Sequence, residues 1–436
     1  MRHLKQTIEW LLYTFIFLLP LQTRWIYQQG FLNGEKWEYG TFSLYATELL
    51  FGLILILSIV YAIARLVKNQ EIKKTKKQLR RVFLLVLILL LVSLSCFLAL
   101  NPQLAFYKFS HLIMAAALFA IIAAMKLDWQ KFSWAIILGG LLQSILAIQQ
   151  FMMQEIFANK WLGMAGQNPE TLGVPVVQLE NLRWLRSFGS LPHPNILAGF
   201  LVIGLILIIG LYSIIKTKKP QNLLRLVFVV NFLGLMTTLS RAAILSFVVG
   251  IIILTFLSRK NIVLNKASAK FALIALFIFV VFTVSFPELI LTRTLSSNRV
   301  ENISNVTRVE QYGEAGQILT STWLTGTGPG NYVVRLYSQD STKSAWDYQP
   351  IHNTYLLIFA ELGILGLASI LLFVFYVLFN LFKCVSWSAE RLTGLTCLAA
   401  LAGLALFDHY LWSFYFGIML VAIVLSLVKN NNFKTL

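Results

Sequence analysis

The amino-acid sequence predicts an all-α polytopic integral membrane protein with about twelve transmembrane helices. Hydrophobic residues make up 58% of the 436-residue chain and charged residues only 12%, whereas soluble domains are roughly 45–50% apolar. Apolar stretches of about 20 residues recur, which is the length of a helix that crosses the hydrocarbon core. Because backbone groups cannot stay unpaired in lipid and period-2 alternation is absent, these stretches are expected to be helices and not barrel strands.

The predicted spans form one polytopic domain that covers residues 1–436. The first span is short and follows Arg2 and Lys5, but residues 20–24 offer no small-residue cleavage site, so a signal peptide is not expected. The seventh and eighth spans are nearly continuous. The predicted limits are 8–22, 43–67, 82–100, 104–125, 132–152, 194–216, 222–239, 240–257, 270–290, 352–382, 391–408 and 410–428.

Lysine and arginine residues predict the orientation of these helices. The dense basic run 65–81 and the basic segments 216–221 and 258–270 fall on one side of the predicted topology. Cytoplasmic loops are enriched in Lys and Arg, so this side is expected to be cytoplasmic, with both termini on it. The net charge of +18 then reflects topology and attraction to membrane lipid. No nucleic-acid partner is expected, because the basic runs are short loops and not one basic face.

Two long segments are predicted on the opposite, outer side of the membrane. One covers residues 153–193, between spans five and six, and a larger one covers residues 291–351, between spans nine and ten. Long loops inside a compact protein are usually functional. No aspartate pair with DxD spacing occurs there, so a bound metal is not expected. Cys96, Cys384 and Cys397 form no CxxC motif and imply neither a disulfide framework nor a metal site.

Arginines are frequent at the outer side, where positive charge is usually sparse. Arg241 lies between apolar runs with no carboxylate near it in sequence, so a function is favoured there over simple pairing. Arg308 lies in the large outer segment, and Arg186 precedes span six, which Asn195 can cap. Arginine suits phosphate because its guanidinium donates two parallel hydrogen bonds and stays charged at any pH. Converging arginines would bind pyrophosphate and neutralise it as a leaving group.

A helix and a glycine-rich turn are predicted within the large outer segment. Val306, Val309, Tyr312 and either Ile318 or Leu319 recur near helical spacing, which indicates a short amphipathic helix with Arg308 off its apolar stripe.

The sequence TGTGPGNY (residues 325–332) then predicts a tight turn whose amides could face an anion. Gly328, Gly330 and Asn331 are therefore candidate substrate-binding residues. Because no strand precedes this turn, a dinucleotide-binding fingerprint is rejected.

His352 is the candidate general base. It opens span ten at the water-facing end, where a histidine can titrate near neutral pH and take a proton from a hydroxyl. The plainer interpretation is an interfacial histidine satisfied by backbone or water. Asn353 can cap the helix that follows. Glu361 lies about two turns into this apolar helix, where an acid is rare, and is a further candidate substrate-binding residue.

Four stretches resemble the O-antigen ligase and O-antigen polymerase superfamily of bacterial membrane glycosyltransferases. They occur in the order found in that family and span residues 186–366. They are RSFGSLPHPNILAGFL, LSRAAILSFVVG, TRVEQYGEAGQIL with LTGTGPGNY, and HNTYLLIFAELGILG.

The resemblance implies transfer of a glycan from a polyprenyl-pyrophosphate carrier, such as undecaprenyl pyrophosphate, to an acceptor hydroxyl. It implies no nucleotide sugar, cofactor or required metal, and a location in the bacterial inner membrane with the active site outside. The acceptor would be lipopolysaccharide lipid A-core in a ligase or another carrier-linked repeat in a polymerase. By motif position, His352, Arg241 and Arg308 match active-site residues, and Arg186 matches less closely.

Two other classes of membrane protein are also compatible with the sequence. A membrane transporter or flippase of a lipid-linked or anionic substrate would also be rich in apolar helices. Such proteins often carry internal repeats and polar residues near mid-bilayer, whereas the polar residues of this chain cluster in the outer segments. A non-catalytic partner in an envelope-assembly complex is the other alternative, which the intact Arg241, Arg308 and His352 disfavour.

Overall fold

The computed structural model describes residues 1–67, 76–125, 127–179, 182–295, 299–382 and 387–429. The protein is mostly helical, at 72%, with sixteen α-helices and six short strands within these residues. Cys384, the middle of the basic run 65–81 and residues 430–436 lie outside the described residues.

Ten of the twelve predicted ranges overlap one helix each, the ranges 270–290 and 410–428 overlap two each, and two further helices lie in the segment 291–351. The helices are α1 (Arg2–Leu18), α2 (Ala46–Val67), α3 (Lys76–Phe97), α4 (Pro102–Met125), α5 (Trp129–Met153), α6 (Pro194–Ile214), α7 (Lys218–Thr237), α8 (Arg241–Leu257), α9 (Ile262–Ser285), α10 (Pro287–Leu295), α11 (Arg299–Thr322), α12 (Tyr332–Gln339), α13 (Thr354–Phe382), α14 (Ala389–Leu404), α15 (Tyr410–Ser413) and α16 (Tyr415–Lys429).

Length and apolar composition identify six of the described helices as candidate membrane spans, namely α2, α4, α5, α6, α9 and α13. Three shorter apolar stretches, at Phe83–Phe97, Arg241–Leu257 and Tyr415–Val428, fall below that length. Helices α1, α7 and α14 are not among these nine. The structure therefore supports a multi-pass membrane protein with six long apolar helices, and the total of about twelve spans stays a prediction.

Helix α6 forms the centre of the protein, because 89% of the residues in its most apolar 18-residue stretch are buried. It packs against α5, α7, α8, α9 and α14. Two of its glycines allow this close packing, because a Cβ atom at Gly199 would meet the Tyr410 hydroxyl and one at Gly210 would meet the Thr393 side chain. Small residues at helix contacts let backbones approach closely. Helix α6 therefore packs against the start of α15 near its own N-terminus and against the start of α14 near its own C-terminus.

Short antiparallel hairpins occupy two of the connections between helices. The hairpin after α1 pairs β1 (Arg24–Gln28) with β4 (Phe42–Tyr45), and β2 (Phe31–Leu32) pairs with β3 (Glu35–Lys36) inside it. Within the segment 153–193, β5 (Val176–Gln178) pairs with β6 (Arg183–Leu185).

A hydrogen bond from the Thr23 hydroxyl to the Trp161 carbonyl oxygen, at 2.5 Å, joins these two connections. The segment 153–193 is therefore folded onto the connection between α1 and α2.

Helix α11 differs from its prediction in length and in the face that it buries. It extends over Arg299–Thr322, so it is not a short helix. Of the predicted apolar stripe only Ile318 is buried, whereas Val306, Val309 and Tyr312 are exposed. The buried side of the helix instead contains Gln311. The hydropathy pattern predicted the wrong buried face for α11, because the face that contacts the rest of the protein is partly polar.

Candidate functional site

The site is built around His352, which lies in the connection just before α13. Asn353 caps this helix, since its Oδ1 accepts the Leu356 N–H at 3.1 Å, as predicted. The His352 backbone N–H donates to Gln311 Oε1 at 3.1 Å, and Nδ1 of the ring lies 3.0 Å from the same oxygen. The side chain of His352 is therefore held from α11, across a sequence separation of 41 residues.

Arg308 belongs to the same helix as Gln311. The two residues are three positions apart, so their side chains leave the helix on neighbouring parts of its surface. The positive charge of Arg308 acts on His352 and lowers the pKa of its ring. Helix α11 thus places one candidate phosphate ligand and the support of the candidate base beside each other.

A second pair of residues, Asp408 and His409, meets His352 from the connection after α14. The rings of His352 and His409 pack edge to face with centroids 5.1 Å apart. Nδ1 of His409 lies 2.6 Å from Ser413 Oγ. The Thr354 N–H donates to the Ala405 carbonyl oxygen at 2.7 Å, and the Thr354 hydroxyl donates to the Asp408 carbonyl oxygen at 2.7 Å. These bonds hold the start of α13 against the end of α14.

Arg186 reaches this cluster through Asn195. The buried Arg186 side chain donates from Nη2 to Asn195 Oδ1 at 2.8 Å and from Nε to the Thr238 carbonyl oxygen at 2.9 Å. Asn195 in turn donates from Nδ2 to Asp408 Oδ2 at 2.9 Å. The prediction that Asn195 caps α6 is wrong, because the cap is His193, whose Nδ1 accepts the Asn195 N–H at 3.1 Å.

The electrostatics of the cluster keep its histidines neutral. Burial lowers the pKa of His352 below its usual value of 6.5, and the charge of Arg308 lowers it further, whereas Asp408 opposes both. Burial and the charge of Arg186 lower the pKa of His193 to about 3. Burial alone would raise the pKa of Asp408, but the neighbouring histidines and the Asn195 hydrogen bond lower it. A neutral imidazole therefore stands near a carboxylate at neutral pH.

Arg241 lies at the first position of α8, directly after the break that separates α7 from α8. Its Nη1 donates to the Arg293 carbonyl oxygen at 2.7 Å, and the Arg293 guanidinium donates to the Leu239 carbonyl oxygen. Leu239 has a φ of +50° in this break. The two arginines thus tie α10 to the α7–α8 break, and Arg241 has backbone as one of its partners.

The glycine-rich turn faces a carboxylate of the protein itself. Glu361 accepts hydrogen bonds from the backbone N–H groups of Gly330 and Tyr332, and the Trp412 indole N–H donates to its Oε2 at 2.7 Å. The Gly328 N–H donates to the Glu361 carbonyl oxygen at 2.8 Å. The amides that the sequence predicts to face an anion therefore have an internal carboxyl group as their partner, at a break in α13 where Gly363 has a φ of +66°.

Asn331 attaches the same turn to the connection between α3 and α4. Its Oδ1 accepts the Asn101 N–H at 2.7 Å, and its Nδ2 donates to the Asn101 carbonyl oxygen at 3.2 Å. A cavity of about 20 Å³ lies beside the turn, lined by Lys108, Glu361 and Trp412 among others. That volume holds about one water molecule, so this cavity is too small for a glycan.

Residues 226–371 match the family model described as O-antigen ligase. This region is therefore similar to the O-antigen ligase family. The finding confirms the resemblance seen in the sequence, and the region contains Arg241, Arg308 and His352. The match covers about a third of the chain, so Arg186 and Asp408 lie outside it. No curated protein matches the chain.

The O-antigen ligase family supports a coarse functional assignment. It indicates a ligase of glycosyltransferase type in polysaccharide assembly, with a lipid-linked glycan donor and an acceptor. Together with the apolar helices, it indicates a bacterial membrane protein. Sequence reasoning missed Gln311 and gave no role to Asp408 and His409. The dipeptide Asp408–His409 at a helix end was the one available signal, since an acid beside a histidine is uncommon in so apolar a chain.

Proposed function

We propose that this protein transfers a glycan from a polyprenyl-pyrophosphate carrier to an acceptor hydroxyl on the outer side of the bacterial inner membrane. The observation that carries the proposal is the setting of His352. Its Nδ1 contacts Gln311, while its Nε2 has no hydrogen bond in the part of the chain that the structure describes. A neutral histidine with one unoccupied ring nitrogen is suited to accept a proton from a hydroxyl.

The proposed reaction is a displacement at the anomeric carbon of the donor. The acceptor oxygen forms a bond to this carbon while its proton passes to Nε2 of His352. The bond between the anomeric carbon and the pyrophosphate oxygen breaks, and polyprenyl pyrophosphate leaves with the bonding electrons. The nearby Asp408 carboxylate stabilises the imidazolium that results, because opposite charges favour the charged form of a histidine.

Arg308 and Arg241 are the proposed pyrophosphate ligands. Charge on the leaving group grows as the glycosidic bond breaks, and a guanidinium in a partly dehydrated site stabilises such charge. Arg308 is partly buried beside His352, and Arg241 is partly buried at the start of α8. With two arginines in this role, the proposed reaction does not require a divalent metal.

The remaining candidate residues are proposed to support the fold around the site and not to bind substrate. Arg186 supports Asn195 and Asp408, and it does not contact the donor in this scheme. Gly328, Gly330, Asn331 and Glu361 hold the glycine-rich turn in place, because each has a hydrogen-bond partner within the protein. This proposal replaces direct substrate binding by these four residues with positioning of the large outer segment.

The test uses purified protein in lipid with a polyprenyl-pyrophosphate-linked oligosaccharide and a panel of acceptors. Release of polyprenyl pyrophosphate coupled to glycan transfer is expected in the wild type, with and without EDTA. Arg241→Ala, Arg308→Ala and His352→Ala are expected to lose it.

The matched controls are Arg259→Ala, at an exposed position just after the far end of α8, and His3→Ala at the exposed N-terminus. Both are expected to keep full transfer. Movement of the lipid-linked donor across the bilayer without transfer to any acceptor would refute the proposal and favour a flippase.

A further inference from the structure

Gln311 is a buried amide that contacts the candidate base at two atoms. Its side chain is only 3% exposed. Oε1 accepts the His352 backbone N–H at 3.1 Å and lies 3.0 Å from Nδ1 of the ring. The amide nitrogen Nε2 is buried and has no hydrogen-bond partner among the described residues. The amide oxygen therefore makes two contacts with His352, whereas the amide nitrogen makes no hydrogen bond with the described residues.

The orientation of the amide follows from the chemistry of its partner. A backbone N–H can only donate a hydrogen bond, so the atom that faces it must be the amide oxygen. The reversed amide would place two donors against each other in a buried position, at the cost of an unsatisfied N–H. The orientation that leaves Nε2 unpaired is therefore the one that satisfies His352.

The same oxygen determines where the imidazole carries its proton. Oε1 has no hydrogen to donate, so the 3.0 Å contact is a hydrogen bond only when Nδ1 is the donor. In a neutral imidazole with its proton on Nδ1, Nε2 carries the lone pair. Burial and the charge of Arg308 keep the pKa of His352 below its usual value, so the ring is neutral near pH 7.

We propose that Gln311 is a positioning residue that holds neutral His352 in the Nδ1–H tautomer and so presents the Nε2 lone pair to the acceptor hydroxyl. This inference rests on the proposed function. A neutral amide accepts the Nδ1–H without adding a negative charge, so it fixes the tautomer while the pKa of His352 stays low. The other charged and titratable groups that act on His352 are Arg308, Asp408, His409 and His193.

The tautomer of His352 can be observed directly by ¹⁵N NMR. The full chain, labelled at histidine nitrogens and reconstituted in lipid nanodiscs, contains five histidines, and the spectrum of His352→Asn identifies the resonances of His352. In the wild type near neutral pH, Nδ1 is expected to be protonated and Nε2 unprotonated.

Gln311→Leu is expected to shift the population toward the Nε2–H form. The control Gln317→Leu, at an exposed position on the same helix, is expected to leave it unchanged. An Nε2–H form in the wild type, or an unchanged tautomer in Gln311→Leu, would overturn the inference.

Kinetics supply the second readout. Gln311→Leu is expected to lower kcat for transfer by roughly tenfold or more, with little change in KM for the lipid-linked donor. Gln311→Glu keeps an acceptor for Nδ1–H but adds a negative charge, which raises the pKa of His352. The acid limb of its kcat profile is therefore expected at higher pH than in the wild type.

An unshifted acid limb in Gln311→Glu, or a wild-type kcat in Gln311→Leu, would contradict the positioning role. If Gln311→Leu does not fold, the wild-type spectrum and the profile of Gln311→Glu still decide the question. The NMR measurement needs no substrate. A protein with no transferase activity but with the expected tautomer would refute the proposed function alone.

Discussion

Asn195 donates a hydrogen bond from Nδ2 to Oδ2 of Asp408 at 2.9 Å, across a separation of 213 residues. The bond joins the start of α6 to the connection after α14. Because Oδ1 of the same amide accepts from Arg186, both ends of Asn195 are paired with charged groups. Hydrogen bonds to charged groups are stronger than those between neutral groups, so this amide fixes the carboxylate that faces His352.

Asn195→Leu is expected to destabilise the protein and to reduce transfer. The change removes both hydrogen bonds and leaves Arg186 and Asp408 each without one partner, at a cost of about 1–3 kcal/mol. Thermal unfolding in lipid or detergent measures the stability, and polyprenyl pyrophosphate release measures kcat. Arg186→Lys should show a milder form of the same defect, because an ammonium cannot reproduce the two directions of the guanidinium. An Asn195→Leu protein with wild-type stability and kcat would contradict this account.

The acid limb of the transfer reaction should have its midpoint below the ordinary pKa of histidine. In the proposed reaction the neutral form of His352 is the base, and burial together with Arg308 lowers its pKa below 6.5. The midpoint of the acid limb, where half of His352 is protonated, is therefore expected below that value. Asp408→Asn removes the group that raises this pKa, so its acid limb is expected at still lower pH, with a reduced maximum. The measurement is kcat/KM for the donor against pH, which reports the pKa of the free protein, and an acid limb with its midpoint at or above pH 6.5 in the wild type would count against His352 as the base.

Glu361→Gln tests whether Glu361 supports the glycine-rich turn or binds substrate. In the structure the carboxylate accepts the N–H groups of Gly330 and Tyr332 and the indole N–H of Trp412. An amide has one acceptor oxygen, so at least one donor loses its partner, and stability should fall by about 1–3 kcal/mol. Thermal unfolding is compared with that of the control Glu310→Gln, at an exposed position on α11. Unchanged stability together with weakened donor binding would restore Glu361 as a substrate ligand, as the sequence predicts.

Gly199→Ala should destabilise the central helix by overpacking. A Cβ atom at this position would overlap the Tyr410 hydroxyl, and extra atoms in a packed core cost about 1–3 kcal/mol. Tyr410→Phe removes the overlapping oxygen, which has no hydrogen-bond partner in the described part of the chain. The double variant is therefore expected to recover most of the loss in thermal unfolding. Additive effects of the two changes would show that the hydroxyl is not the obstacle.

The helices were predictable because their signal is local. Long apolar stretches identify α2, α4 and α6 without reference to any partner, and the structure differs from the predicted limits mainly by a few residues at each end. The burial of α11 was not predictable in the same way. Its buried face includes Gln311, which hydropathy assigns to solvent, because the contact is a hydrogen bond to His352 and not apolar packing.

The site was predictable only in part for the same reason. His352 stands out because it opens a very apolar helix, and Arg308 stands out because positive charge is usually sparse on the outer side. Gln311 and Asn195 are neutral, so the sequence gives no comparable reason to single them out. Their partners lie 41 and 213 residues away in sequence, so only the folded chain brings them together.

The glycine-rich turn and the break in α13 meet backbone to backbone. A Cβ atom on Gly326 would strike the Glu361 carbonyl group, and one on Gly363 would strike that of Leu324. This joint lies on one side of the surface stretch 338–344, and the contact between Gln311 and His352 secures the chain on the other. The stretch 338–344 is itself tied to both neighbours, because Lys343 forms an ion pair with Glu314 of α11 and the Asn33 amide donates to the carbonyl oxygens of Ser341 and Lys343. An insertion here would therefore act on the same helix that holds His352.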